Sequence, residues 1–156
     1  MKITKVLMAC LLMLAAVVSK AQTTEKITDE DLKKYAVTMD SVEAMQQTLR
    51  EIVSTTVQKN TVMPVARYNE LFKIIDDEAK LKATNATPEE IAFIKDINAL
   101  REENIKRINA TYQALAKDYV GLKTFNEIRK SLKTDQELKA RYDNVSKDVE
   151  TKEKGG

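Results

Sequence analysis

Between Thr28 and Lys154 the chain carries one glycine, Gly121, and two prolines, Pro64 and Pro88. Glycine and proline are the strongest local interrupters of regular structure, so a chain with so few is confined to long elements. The apolar pattern says which kind. Leu32, Tyr35, Met39, Val42, Gln46, Leu49, Val53 and Thr56 follow one another at alternating steps of three and four. That spacing lines one face of an α-helix and describes an amphipathic helix of about 30 residues. Its seam is compatible with antiparallel coiled-coil packing.

Polar residues mark the expected boundaries. Thr28, followed by Asp29-Glu30-Asp31, starts the first helix: the hydroxyl caps free N–H groups, and the acids suit the positive end of the helix dipole. The helix is expected to end near Asn60, a residue that tolerates the left-handed conformation. Pro64 opens a second helix with Val65, Tyr68, Phe72, Ile75 and Ala79 on one face, widened by Leu71 and Ile74, and ending before Thr84. Thr87-Pro88-Glu89-Glu90 combines a cap, a first-turn proline and a reciprocal glutamate, and starts a third helix running to Val120. Its seam is Ile91, Ile94, Asn98, Arg101, Ile105, Ile108, Tyr112, Leu115 and Tyr119, with Phe93, Ile97 and Leu100 as a second apolar face. A helix apolar on two faces touches two neighbours. Gly121 stops it at positive φ, and Leu122 is expected to fold back on its last turn. Thr124 with Glu127, then Thr134 with Glu137, cap two short helices carrying Phe125, Ile128 and Leu132, then Leu138, Tyr142, Val145 and Val149. The expected fold is all-α: an antiparallel helical bundle of three longer helices plus two short C-terminal helices.

The N-terminus reads differently. Lys2 and Lys5 precede an unbroken apolar run of 13 residues, Val6–Val18, and Ser19 and Ala21 place small residues before a cut between Ala21 and Gln22. This is the pattern of a cleaved signal peptide. A membrane span needs about 20 apolar residues, so the run is short for an anchor. Leu7-Met8-Ala9-Cys10 resembles a lipobox, but the apolar run continues past Cys10, and the match is read as accidental. Residues 1–21 are thus expected to be removed, 22–27 to form a flexible arm, 28–150 a single bundle domain and 151–156 a disordered tail. The product is exported, to the periplasm or the extracellular space. Removing Lys2, Lys5 and Lys20 from the 26 basic residues leaves 23 against 24 acidic ones, a net charge of −1. That balance gives no electrostatic case for a nucleic-acid or anionic-membrane partner. The remaining 135 residues contain no cysteine, so stability rests on an ordinary core.

Two blocks carry a resemblance. Ile27-Thr28-Asp29-Glu30-Asp31-Leu32 with Tyr35-Ala36, and Gly121-Leu122, Phe125-Asn126-Glu127-Ile128, Asp135, Glu137-Leu138 and Arg141, resemble the end blocks of the exported bacterial family called domain of unknown function 4168. Phe125 stands where that family typically has tyrosine, and Gln136 where it has proline. The resemblance implies a secreted or periplasmic helical domain and no activity. It marks Gly121, Leu122, Phe125, Asn126, Ile128 and Leu138 as a structural motif. With no hydroxyl at Phe125, a catalytic role for that position is not expected. In a bacterial protein the glycosylation-like triplets at Asn85, Asn109 and Asn144 are chance.

The chemistry available is narrow. The chain has no histidine, which removes imidazole general bases, nucleophile–histidine pairs and the usual zinc sets. It has no glycine-rich phosphate loop. Asp76-Asp77-Glu78 is acidic enough to draw a hard cation, but consecutive helical residues point about 100° apart and do not converge on one ion. No metal or cofactor is expected. Arg101 is read as one half of a partly buried ion pair, and Gln46 and Asn98 as polar seam residues that fix helix alignment. Tyr35, Tyr112 and Tyr119 are read as core residues, with an exposed aromatic strip as the sharper alternative. The expected function is non-enzymatic: an exported helical protein acting in the bacterial envelope through protein–protein contacts. A periplasmic holdase-type chaperone is the alternative, and a carboxylate-only hydrolase, which needs two acids in a cleft, comes third.

Overall fold

The computed structural model describes residues 26–154, with side chains to Val149. The expected signal segment, its Ala21/Gln22 cut and residues 22–25 of the arm lie outside the described residues. Those described form no strand: the elements are α1 (Asp29–Lys59), α2 (Val65–Phe72), α3 (Glu78–Ala83), α4 (Pro88–Ala114) with a π-helical end (Leu115–Gly121), α5 (Leu122–Ser131) and α6 (Gln136–Lys154). No helix among them is long and apolar enough to cross a membrane.

The helix starts follow local chemistry. The Thr28 hydroxyl accepts from the Asp31 N–H at 3.1 Å, and the Asp31 carboxylate accepts from the Thr28 N–H at 2.9 Å. The Thr28 hydroxyl, which also donates to that carboxylate at 2.7 Å, and then the Thr28 N–H hold the Asp31 carboxyl below the usual carboxylate range. At α4 the same box forms between Thr87 and Glu90, with Pro88 as the first helical residue. Arg67 of α2 joins it: Nε donates to Glu90 at 3.2 Å and Nη2 to the Thr84 carbonyl at 2.9 Å. One guanidinium therefore ties α2 to the end of α3 and the start of α4.

Several expected boundaries move. Asn60 is extended, not left-handed, and closes the chain with its side chain, Oδ1 accepting from the Val62 and Met63 N–H groups at 2.9 Å each. The left-handed residue is Asn85, at φ 51°, where the Asn85 and Ala86 N–H groups return to the Lys82 and Leu81 carbonyls. The single second helix is broken. Between α2 and α3 the chain turns through residues 73–77, because the Asp77 side chain takes the Lys80 N–H and starts a new helix. The turn lets Ile74 and Ile75 both pack on the core, and Ala79 is exposed.

Gly121 has φ +90°, as its position after Val120 predicts. The approach to it differs. The last seven residues of α4's course widen to π-helix, which rotates Ala116 and Val120 inward, while Tyr119 is 43% exposed. Leu122 does not fold back: it begins α5 and is 57% exposed. Thr124 lies inside α5 rather than capping it. For α6 the cap is Asp135, not Thr134: its carboxylate accepts from the Leu138 N–H at 2.9 Å. Gln136, where the resembled motif has proline, is the first helical residue, a place proline favours. Nor is α6 short: it has 19 residues and extends through Lys154, across most of the expected tail. Ile27, at the end of the expected arm, packs on the core, and its carbonyl accepts from Arg141 at 3.1 Å.

The core is in two parts. One gathers Leu32 and Tyr35 of α1, Ala116 and Val120 of the π end, Phe125 and Ile128 of α5 and Leu138 of α6. Phe125 is its centre, 4.9 Å from the Tyr35 ring and 5.5 Å from Tyr112. The other gathers Val57, Met63, Tyr68, Leu71, Leu81, Ile94 and Ile97. So the start of α1 meets the end of α4 in one core, and the end of α1 meets the start of α4 in the other. Between them Val42 and Ile108 are buried.

A Cβ added at Gly121 would make no more than ordinary contact, the nearest atom being Thr124 Oγ1 at 3.9 Å. The cost of substitution is therefore backbone strain alone. We expect Gly121→Ala and Gly121→Val each to destabilise by about 1–3 kcal/mol, read as a lower urea midpoint; an unchanged midpoint would refute the turn's role. The Arg67 hydrogen bonds, then the Thr87 N–H, hold the Glu90 carboxyl below its ordinary value. A depressed carboxyl contributes stability above its unfolded pKa and loses it as pH falls through the folded one. Tm should thus fall below about pH 4.5, and Glu90→Gln should lower Tm at pH 7 and make that fall shallower, as calorimetry across pH would show.

Candidate functional site

The residues singled out from the sequence do not form one site. Gly121, Phe125, Ile128 and Leu138 are turn and core, whereas Leu122 and Asn126 are exposed. Asp77 caps α3 and pairs with Lys80 at 2.9 Å, and no three acids or thiols among the described residues are grouped to hold a metal ion. Gln46 is exposed, and Asn98 donates to Glu102 of its own helix at 3.0 Å, so neither aligns two helices.

Arg101 is the informative exception. It does not enter the expected ion pair. Its guanidinium lies over the Phe72 ring, 4.6 Å from the centroid. Both residues line an open groove of about 440 Å³ between the second half of α1, α2 and α4. Leu49, Val53 and Val57 of α1 form one wall, at the four-residue spacing of a single helix face. Val65, Tyr68 and Phe72 of α2 form the second, and Arg101 and Ile105 of α4 the third. A shallower groove continues toward the waist past Gln46, Ile108 and Asn109, sharing Leu49, Arg50 and Ile105 with the first. Volumes of this size suit ligand and side-chain recognition.

Two features set this groove apart from an incompletely filled core. The first is charge. Its lining holds Arg50 and Arg101 and no carboxylate. Arg50 is held by Gln47, whose Oε1 accepts from Nε at 3.0 Å and from Nη2 at 2.8 Å. The second is the Tyr68 hydroxyl, which is buried and has no hydrogen-bond partner. Burial pushes its pKa up, and the nearby Arg101 guanidinium pulls the other way. A buried hydroxyl without a partner costs about 1–3 kcal/mol.

From the sequence Arg101 reads as half of a partly buried ion pair on the seam and Ile105 as a seam packing residue. The signal was there in Arg101 itself: a cation at a seam position with no acid facing it in the facing helix pattern. What no periodicity shows is that α2 stops at Phe72 and sets Val65, Tyr68 and Phe72 against α1 and α4 around a groove. No family model, no curated protein and no solved structure matches the chain.

If the Tyr68 hydroxyl is held unpaired, removing it should leave the fold intact. Tyr68→Phe is expected to be neutral or stabilising by up to about 1 kcal/mol, whereas Tyr68→Ala should cost about 3–5 kcal/mol by emptying the core. Denaturant unfolding of the two variants checks this.

Proposed function

We propose that this chain is a non-enzymatic, exported helical protein that acts in the bacterial envelope through protein–protein contacts, and that the groove is its contact face. The observation that carries this is the groove's open apolar lining: Val65 and Ile105 are 43% and 45% exposed although both sit beside buried core. Apolar residues held open beside a rigid scaffold are the ordinary sign of an interaction surface. The way α1 and α4 meet in opposite order at the two cores supports an antiparallel bundle as the scaffold. The resemblance of the end blocks to the domain of unknown function 4168 family and the signal-like leader support the envelope location.

A holdase-type chaperone is the second reading, favoured by the same concave apolar face. It differs in expecting many clients rather than one. A photocrosslinker at Ile105, with a control at exposed Glu103, about 200° round the helix, separates them in intact cells. One dominant partner captured at Ile105 alone is expected. A broad set of unfolded outer-membrane proteins would replace it with the chaperone reading, and identical patterns at both positions would overturn the groove as the contact face.

A further inference from the structure

Resting on that reading, we propose that the groove receives an acidic amphipathic helix of a protein partner, held by its carboxylates on Arg101 and Arg50. Three observations converge.

The first is length. Along α1 the joined groove extends from Gln46 to Gln58, about 18 Å at helical rise, or three turns of a docked helix. The second is openness. An occupant lying here keeps one side in water along its whole length. A wholly apolar chain gains little from such a place, whereas an amphipathic helix has a polar face to put there. The third is charge. Two cations and no acid line the groove. The Arg101 guanidinium carbon lies over the Phe72 ring, and the lining holds no carboxylate to take its N–H edge. A carboxylate meets that edge in two parallel hydrogen bonds. The chain's own leader does not meet this requirement, since it carries Lys2, Lys5 and Lys20 and no acid.

The test is fluorescence anisotropy with the whole mature chain and two labelled model helices of about 14 residues, identical in their leucine seam. One carries glutamate on the flanks, the other lysine. A fluorescent fatty acid serves as the lipid probe. The glutamate helix should bind at least about tenfold tighter than the lysine helix, with the preference shrinking as salt rises. Arg50→Gln with Arg101→Gln should bring the ratio to about one. Because the Arg101 change also touches core packing, Ile105→Glu supplies an independent arm. It places a carboxylate four residues from Arg101 on an exposed position and should suppress glutamate-helix binding without lowering Tm. Equal binding of both helices, blocked by Ile105→Glu, overturns the acidic partner but leaves the groove as a contact face. Binding of neither helix overturns both, and binding of the fatty acid alone assigns the groove to a lipid.

Discussion

A helix of 31 residues is about 46 Å long, and its apolar face has to be covered along that length. Everything else in the structure answers that constraint. The chain spends its remaining apolar residues at the two ends of α1, one set drawn from α4's π end, α5 and α6, the other from α2, α3 and the start of α4. Each end is then fixed by a long-range arginine. Arg141 of α6 donates to Asp29 at 3.0 Å and to the Ile27 carbonyl, and Arg67 of α2 grips Glu90 and the Thr84 carbonyl. The waist between has α1 and α4 with buried Val42 and Ile108, and there the coverage is thinnest. The groove lies between α1, α2 and α4 and continues into that waist.

The parts of this arrangement that were legible in the sequence are those decided within a few residues. Thr28 and Thr87 are caps, Gly121 takes positive φ and the long α1 and α4 exist, because capping, glycine freedom and a 3.6-residue period act locally. The errors fall where two local options compete and packing decides. Asp77 and Asp135 outcompete their neighbours for a backbone N–H, splitting the second helix and moving the last cap. The π turns before Gly121 are invisible to a fixed period, and they explain why Tyr119 leaves the seam while Ala116 and Val120 enter it. A wider turn adds one residue per turn, and every later position rotates.

The same reasoning explains why the candidate site was only half readable. Arg101 and Ile105 lie on a correctly drawn helix face, but a face becomes a core or a groove according to what stands opposite. That depends on where α2 ends, and α2 ends because Asp77 takes a backbone N–H and starts α3, a choice no apolar period reports. The Tyr68 hydroxyl carries the point further. In a chain selected for stability alone, phenylalanine at this position would pack the same ring against Phe72 and Phe93 without the desolvation cost. Keeping the hydroxyl buried beside the Arg101 guanidinium places a hydroxyl and a cation side by side in the lining of a groove that holds no carboxylate.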